Sequence, residues 1–422
     1  MFEQVAFPQM GLIHQELVNK PIIEIEAKVE EEMNSLNLVS RVKPGERVGI
    51  TAGSRGIRNI DRIMKTVIDH LQALGAEPFV FPAMGSHGGA NAQGQCGLLA
   101  HYGITEEKMG VPILASMEVQ EIGRTKQGLS VYADSYACGA DHIFVINRLK
   151  PHTKFKGELE SGVCKMMTIG LGKHKGAQYY HKYALKFGFP EVIEAVASVV
   201  LERMSVLGGL AIIEDGYDQT SILKALPPKR IIAEEKELLK VAKDYLPKLP
   251  FSEIDVLIVD EIGKDISGAG MDYNVVGRNR DIMNRWFSSQ QIKRVFVRDL
   301  TANTEGNGLG IGMADYTTER LVKKLDLQTM YTNALTASGP ESASIPIYFP
   351  NDKQALQASL GTIGPVATSE VKVIWIKNTL SLEHVLVSES LYRQVGERPE
   401  LSIEGPLQEI AYDQEDYLIS PF

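Results

Sequence analysis

The chain of 422 residues contains few cysteines, and none of them form a close pair. Cys96, Cys138 and Cys164 are an odd, widely spaced set, which argues against the disulfide framework of a secreted protein and indicates a reducing compartment. The N-terminus lacks the charged-then-apolar layout of a signal peptide. No apolar run approaches the ~18 residues that a membrane span needs. We therefore expect a cytoplasmic protein without a membrane segment.

An excess of positive charge is also missing. The sequence has 44 Lys and Arg against 53 Asp and Glu, a net charge of −9, so we expect neither nucleic acid nor an anionic membrane as a partner. The hydrophobic fraction of 44% and the charged fraction of 23% are ordinary for a folded protein, which argues against extensive disorder. At ~100–200 residues per domain, the length predicts two or three domains.

Several catalytic signatures are absent. The sequence has no Gly-x-x-x-x-Gly-Lys-Ser/Thr phosphate loop, no His-Glu-x-x-His zinc motif and no serine nucleophile elbow. The glycine-rich segment Gly306–Gly312 does not have the Gly-x-Gly-x-x-Gly spacing of a dinucleotide-binding turn. Any chemistry must therefore come from another arrangement of residues.

Short β-branched runs alternate with amphipathic stretches along the chain. A strand at Val48–Thr51, helical spacing over Ile60–Leu74 and a strand at Pro78–Phe81 predict a parallel βαβ unit. The broad apolar face of Glu191–Met204 predicts another helix. Further strands are predicted at His142–Ile146, Leu210–Ile213, Val256–Val259, Val295–Val297 and Val371–Ile376.

A domain boundary is predicted near Pro247–Phe251, where a charged helix ends and a new apolar strand follows. We expect an α/β fold of two α/β domains with mainly parallel sheets, at residues 1–249 and 250–422. An active-site cleft between the two domains is the expected ligand site.

Two short loops after predicted strands carry candidate ligand-binding residues, because ligands of parallel α/β sheets sit at the carboxyl ends of the strands. Thr51–Gly56 contains small residues and Arg55, whose guanidinium suits a carboxylate or a phosphate. Met84–Gly89 places His87 among glycines that permit a close approach of backbone to a ligand. The alternatives are an ordinary turn with a surface arginine and a solvated histidine.

The richest stretch runs from Arg148 to Lys182 and contains eight Lys or Arg against two Asp or Glu. This local positive charge favours an anionic ligand, for example one with a phosphate. Lys165 is flanked by small and apolar residues, so partial burial would lower its pKa and make it a nucleophile or an attachment point. His152 and His181 are candidates for a general base or a metal ligand. The alternative is a basic surface loop with incidental histidines.

This ordered set resembles the lactate racemase family over roughly residues 45–190, through Arg55, Gly-Ser-His87, Pro-His152, Ser-Gly-Val-Cys-Lys165 and His181. Those enzymes carry a nickel-pincer nucleotide (nickel pyridinium-3,5-bisthiocarboxylic acid mononucleotide) and racemise or epimerise 2-hydroxy acids. The resemblance implies that Lys165 holds the cofactor covalently through a thioamide and that His181 completes the nickel coordination. It also implies that His87 and His152 alternate as acid and base, while Arg55 grips the substrate carboxylate.

Further contacts to cofactor and substrate follow from the same resemblance. We expect Ser54, Lys173 and Lys175 to contact the cofactor, the two lysines at its phosphate. The segment Val256–Asp265 is a weaker echo of the family's C-terminal domain. That domain's substrate-binding lysine has no clean match, and Arg278 is the nearest candidate.

The expected activity is that of an isomerase acting on a small 2-hydroxy acid of the malate or lactate type. The N-terminal domain would bind the cofactor and carry the chemistry, the C-terminal domain would close the substrate cleft, and cofactor-biosynthesis enzymes would be partners in maturation. The sequence departs from the family at Ala52, where an aspartate usually stands three residues before the arginine. The stretch from His152 to Lys165 is also longer than in lactate racemase.

Two other interpretations use the same residues. The first is a zinc- or iron-dependent hydrolase or lyase with His87, His152 and His181 as ligands, which would need no cofactor-making partner. The second is a protein without enzymatic activity that binds an anionic metabolite through the basic stretch.

Overall fold

The computed structural model describes residues 6–422, apart from the side chain of Met283. Its strands are, in chain order, β1 (Met10–Gln15), β2 (Arg47–Ala52), β3 (Glu77–Pro82), β4 (Val119–Arg124), β5 (Ser130–Asp134), β6 (His142–Arg148), β7 (Val206–Glu214), β8 (Thr220–Leu226), β9 (Glu253–Ile262), β10 (Arg278–Asn279), β11 (Trp286–Phe287), β12 (Gln291–Leu300), β13 (Tyr316–Thr318), β14 (Ile347–Phe349), β15 (Val373–Ile376), β16 (His384–Ser388) and β17 (Leu401–Ile403).

The α-helices alternate with these strands, and a π-helical turn at Met166–Gly170 follows the sixth of them directly. Within residues 6–422, none of the helices is both long enough and apolar enough to cross a bilayer. In chain order the helices are α1 (Ile25–Ser35), α2 (Ile60–Ala73), α3 (Ala92–His101), α4 (Glu106–Met109), α5 (Ser135–Cys138), α6 (Val163–Lys165), α7 (Lys173–Phe187), α8 (Phe189–Arg203), α9 (Ile231–Tyr245), α10 (Glu319–Lys323), α11 (Leu327–Thr336), α12 (Asp352–Leu360) and α13 (Glu389–Tyr392).

Contacts divide the chain into two compact units. The five-stranded unit comprises Val18–His152 and Lys156–Leu246, and the eight-stranded unit comprises the described residues up to Leu17, Thr153–Phe155 and Pro247–Phe422. This differs from the predicted division at the N-terminal end, because β1 pairs antiparallel with β16 and so joins the later sheet. The cleft between the two predicted domains stays a prediction.

The sheet of the five-stranded unit has the strand order β3-β2-β6-β7-β8. Its first four strands are parallel, and β8 turns back antiparallel to β7. Strands that are buried on both faces have nearly continuous apolar sequences, which is why these parallel strands could be predicted. Helix α2 buries the predicted apolar stripe of Ile63, Val67 and Leu71 against this sheet's core.

The sheet of the eight-stranded unit has the order β14-β13-β12-β9-β15-β16-β1-β17. The strands from β14 to β15 are parallel, and β16, β1 and β17 are antiparallel additions at one side. The two main sheets with helices between their strands confirm the predicted α/β fold with mainly parallel sheets.

The order of strands in the five-stranded unit creates a switch point. The chain moves from β2 to β3 on one side and later places β6 on the other side of β2. Ala52 pairs in register with Pro82, and Ile50 pairs with Phe144, so the three strands end at one edge. The carboxyl edge at such a switch point is where open α/β sheets bind ligands.

Candidate active site

The loops that follow β2, β3 and β6 carry three of the predicted site residues. Arg55, His87 and His152 each come a few residues after the end of their strand. Because the strands are parallel and aligned, the three loops leave the same edge of the sheet. The structure therefore brings together, at the level of loops, residues that are far apart in the sequence.

Arg55 is an exposed cation at this edge. Among the residues that the structure describes, no side chain or carbonyl forms a hydrogen bond or ion pair with its guanidinium, whereas the neighbouring Arg148 is paired with Glu214. Loss of water around the guanidinium and then the charge of Arg148 lower the pKa of Arg55 from its ordinary value, although the residue as a whole stays exposed. The arginine remains charged at neutral pH and suits an anionic ligand.

The His87 loop is shaped by glycine and held by a buried amide. Gly88 has a φ of +64°, and a Cβ at this position would lie 2.8 Å from the backbone nitrogen of Gln95. The fully buried Gln95 donates its Nε2 to the carbonyls of Gly85 and His87, each at 3.2 Å. The Ser54 hydroxyl shares a hydrogen bond with Nδ1 of His87. The ring therefore has a partner that fixes its direction and leaves Nε2 on the opposite side.

The His152 loop is held through its backbone. The carboxylate of the buried Glu160 accepts hydrogen bonds from the backbone nitrogens of His152, at 2.6 Å, and of Gly157, at 3.1 Å. The His152 residue itself is half-buried. The loop is thus fixed from the protein side, while its position after β6 places it at the sheet edge.

Lys165 lies at the end of α6, where the helix changes to a π-helical turn. Such turns occur often at functional sites. Burial and then the charge of Arg55 lower the pKa of Lys165, Glu160 acts in the opposite direction, and the resulting pKa is about 8. A Cβ on Gly53 would lie 3.2 Å from Cε of Met166, so the chain after β2 packs directly against the residue that follows Lys165.

His181 is oriented by its own helix. Its Nδ1 is 2.6 Å from the carbonyl oxygen of Ala177, and the ring meets Phe189 edge-on at 5.1 Å between centroids. Donation from Nδ1 to the carbonyl defines the neutral tautomer that carries its lone pair on Nε2, which is the usual arrangement of a metal-ligating histidine. A Cβ on Gly85 would lie 3.4 Å from that of Ala177, so the loop after β3 packs against the same helix.

Of the three expected cofactor contacts, the one at Lys173 differs from the prediction. The ammonium of Lys173 is 2.9 Å from Asp134, and both side chains are 0% exposed, so Lys173 has no surface for a phosphate in this arrangement. The Ser54 hydroxyl forms a hydrogen bond with His87, and its expected contact with the cofactor stays a prediction. Lys175 is exposed, with its ammonium 4.6 Å above the ring of Tyr132, and remains a candidate for the phosphate.

Arg278, predicted to bind substrate, is a structural residue of the eight-stranded unit. It is 5% exposed, its Nη1 is 2.8 Å from Oδ2 of Asp315, and its Nη2 donates to the carbonyl of Ile292. The pairing is not evident in the sequence, because Asp315 is 37 residues further along the chain. The loop after β9 contains Lys264, a half-buried lysine that was not predicted as a site residue although its strand was predicted.

The histidines do not form a metal site made by protein alone. Among the residues that the structure describes, no three His, Cys, Asp or Glu side chains are grouped to hold a metal ion. A zinc or iron site built from His87, His152 and His181 needs such a group, whereas a single histidine ligand beside a metal-carrying cofactor does not.

No protein-family model and no curated protein matches this chain in sequence. In structure it is similar to a crystallised protein from Thermotoga maritima, with 14% identity, a TM-score of 0.49, and coverage of 87% of this chain and 99% of that one. It is also similar to the lactate racemase apoprotein from Thermoanaerobacterium thermosaccharolyticum, with 10% identity, a TM-score of 0.47, and coverage of 81% of this chain and 94% of that one. Similarity at this level assigns no activity, so the functional argument rests on the residues described above.

Proposed function

We propose that the chain is a racemase or epimerase of a small 2-hydroxy acid of the malate or lactate type, with a nickel-pincer nucleotide joined to Lys165. One observation carries the proposal. The loops with Arg55, His87 and His152 leave one edge of a parallel sheet at its switch point, and the segment around Lys165 packs against that edge. The residues that resemble the lactate racemase family are spread along the sequence, but the loops that carry them lie at one edge of this sheet.

The attachment residue and the metal ligand fit the proposed group chemically. With a pKa of about 8, roughly a tenth of Lys165 is neutral at pH 7, far more than for an ordinary lysine, and the neutral amine is the form that attacks an acyl carbon. His181, held through Nδ1, would offer Nε2 to nickel. When bound, the group would supply a reversible acceptor for the hydride at C2 of the substrate.

Arg55 is the proposed partner of the substrate carboxylate. Its guanidinium has no ion-pair partner in residues 6–422 and lies where the electrostatic effects of Arg148 and Lys165 also act. A carboxylate placed there would relieve the repulsion among these cations and receive two parallel hydrogen bonds from the guanidinium.

His87 and His152 are the proposed acid/base pair. They come from different loops, so each would meet the C2 hydroxyl of one enantiomer, removing its proton as hydride leaves and returning it as hydride comes back. Histidine suits both directions because its ordinary pKa lies near neutrality. The Ser54 hydroxyl, bound at Nδ1, would keep Nε2 of His87 directed to the substrate.

The direct experiment is expression of the full chain together with the enzymes that make the cofactor. We expect bound nickel, a mass increase on the peptide that contains Lys165, and conversion of one enantiomer of a 2-hydroxy acid to the other by chiral chromatography. Lys165→Arg should lose all three, whereas the matched change Lys182→Arg, at an exposed position of the same basic stretch, should keep them. A wild-type chain without nickel and with unmodified Lys165 would contradict the cofactor.

A second variant separates the roles of the residues. His152→Ala should abolish racemisation and leave the mass increase on Lys165 in place, because His152 is proposed to act on the substrate alone. Racemisation that persists in this variant would exclude the acid/base role. Metal bound after expression without the cofactor-making enzymes, with activity on esters or amides, would favour a metal-dependent hydrolase instead.

A further inference from the structure

Helix α9 is the charged helix that ends the five-stranded unit, and no site residue was predicted on it. Two of its side chains, Glu235 and Lys243, are directed at the two segments that carry Lys165 and His152. The two side chains are about two helical turns apart, so a single helix contacts both segments.

Glu235 binds the turn that presents Lys165. Its carboxylate is 1% exposed and accepts hydrogen bonds from the backbone nitrogens of Val163, at 2.6 Å, and of Cys164, at 3.1 and 3.3 Å to its two oxygens. A Cβ on Gly162 would lie 2.6 Å from the carboxyl carbon of Glu235, so this close approach requires glycine. The carboxylate is therefore fitted to the turn immediately before Lys165.

Lys243 contacts the loop that carries His152 through the carboxylate of Glu160. Its ammonium is 2.8 Å from Oε1 of Glu160 and 3.1 Å from the carbonyl oxygen of Gly157. Glu160, itself 1% exposed, receives the backbone nitrogen of His152 at 2.6 Å. The buried carboxylate of Glu160 thus has a cation on one side and the His152 loop on the other.

We infer that Glu235 and Lys243 are positioning residues, Glu235 for the attachment lysine Lys165 and Lys243, through Glu160, for the acid/base residue His152. This inference rests on the proposed function for the meaning of those two residues. Burial raises the pKa of Glu235 to about 7, while the hydrogen bonds from Cys164 and Val163 act in the opposite direction, so the contact with this turn is what stabilises the buried charge. Supporting hydrogen bonds of this kind fix the geometry of the residues that carry a site.

The first test compares Glu235→Gln with Glu237→Gln, which changes an exposed residue on the same helix that is paired with Lys240. Glutamine keeps the size of Glu235 but turns an NH2 group towards one of the amides. We expect amide hydrogen exchange at Val163 and Cys164 to rise by about tenfold or more, and the rate of cofactor attachment at Lys165 to fall by a similar factor. Glu237→Gln should change neither.

The second test compares Lys243→Met with Lys240→Met. Lys243→Met should lower kcat by about tenfold with KM unchanged and with full attachment at Lys165, because only the His152 loop is loosened. Lys243→Arg, which restores a cation, should recover most of the loss, and Lys240→Met should behave as wild type. This split between kcat, KM and attachment would not arise from general destabilisation, which lowers the amount of active protein alone.

Hydrogen exchange keeps these tests independent of the cofactor. Exchange at Val163 and Cys164 in Glu235→Gln, and at the amides of His152 and Gly157 in Lys243→Met, is measured in the cofactor-free chain. If wild type takes no cofactor, the proposed function fails, and local exchange alone decides whether the helix holds the two segments. Unchanged exchange at those amides overturns the inference, as does a Lys243→Met enzyme with wild-type kcat.

Discussion

The five-stranded unit leaves Arg55 exposed and without an ion-pair partner among the described residues, at the carboxyl edge of its sheet. In the eight-stranded unit, Arg278 is buried against Asp315, and Arg298 is buried against Asp260. The two units thus contain the same type of residue in opposite states. A cation paired inside the protein stabilises the fold, while an unpaired one is available for a ligand, so pairing rather than residue type separates the two roles.

The comparison predicts its largest effect on stability at Arg278. Arg278→Met removes one of the two arginines that pair with Asp315, Arg280 being the other, so we expect the eight-stranded unit to lose about 1.5–3 kcal/mol of unfolding free energy. Denaturant unfolding measures this. The exposed Arg285 provides the control, since Arg285→Met loses only a contact with the ring of Phe287 and should change stability by no more than about 1 kcal/mol. A stable Arg278→Met protein would break the distinction.

The matching change in the other unit should affect activity and spare the fold. Arg55→Met is expected to lower kcat/KM for the 2-hydroxy acid by roughly 100-fold, the value of about two hydrogen bonds between charged groups. Its unfolding free energy should stay within about 0.5 kcal/mol of wild type, because no internal partner is lost. Steady-state kinetics gives kcat/KM and denaturant unfolding gives the unfolding free energy, both on one preparation. A large loss of stability would show that Arg55, like Arg278, stabilises the fold.

The effect of Lys165 on the unfolding free energy is expected to depend on pH. Its pKa is about 8 in the folded chain and near 10.5 when unfolded, so between these values the unfolded chain binds more protons and stability rises with pH. Lys165→Met, which never carries the charge, should therefore stabilise the cofactor-free chain below pH 8, by about 1–2 kcal/mol after allowance for partial exposure. The gain should shrink from pH 8 to 10.5. Urea unfolding at pH 7 and 9.5 measures it, and a gain that grows with pH would contradict the burial of this lysine.

The smallest effect is expected at Lys175. The exposed ammonium lies over the ring of Tyr132, a contact that contributes about 0.5–1 kcal/mol at exposed sites. Lys175→Gln should thus change stability by no more than this. If Lys175 contacts the cofactor phosphate, Lys175→Gln should carry less nickel per chain than wild type when both are matured with limiting cofactor; equal nickel content would remove Lys175 from the site.

The sequence was sufficient to predict the parallel strands and the loops after them. Strands such as β6 are buried on both faces, so they are apolar runs that stand out from their surroundings. The loops with Arg55, His87 and His152 then follow from strand order, because parallel strands end at a common edge. Local patterns were enough for this part of the site.

The remaining features depend on partners that are distant in the sequence. Lys173 was predicted to bind a phosphate but is paired with Asp134, and Arg278 is neutralised by Asp315. The hydrogen bond between Glu235 and Val163 likewise joins α9 to α6, and neither segment's sequence pattern predicts it. Burial and pairing of charged groups are tertiary properties, and one sequence without its fold does not specify them.

The pairing of β1 with β16 has a consequence for how the chain is made. β1 leaves the ribosome roughly 370 residues before β16, so β1 lacks its neighbour for on the order of half a minute at ordinary elongation rates. During that time the five-stranded unit, which is nearly continuous between Val18 and Leu246, has its own sheet complete. Folding is then expected to start in the five-stranded unit. A fragment of residues 18–246 should therefore express better than one of residues 1–246, because β1 would be an unpaired, aggregation-prone strand in the longer fragment.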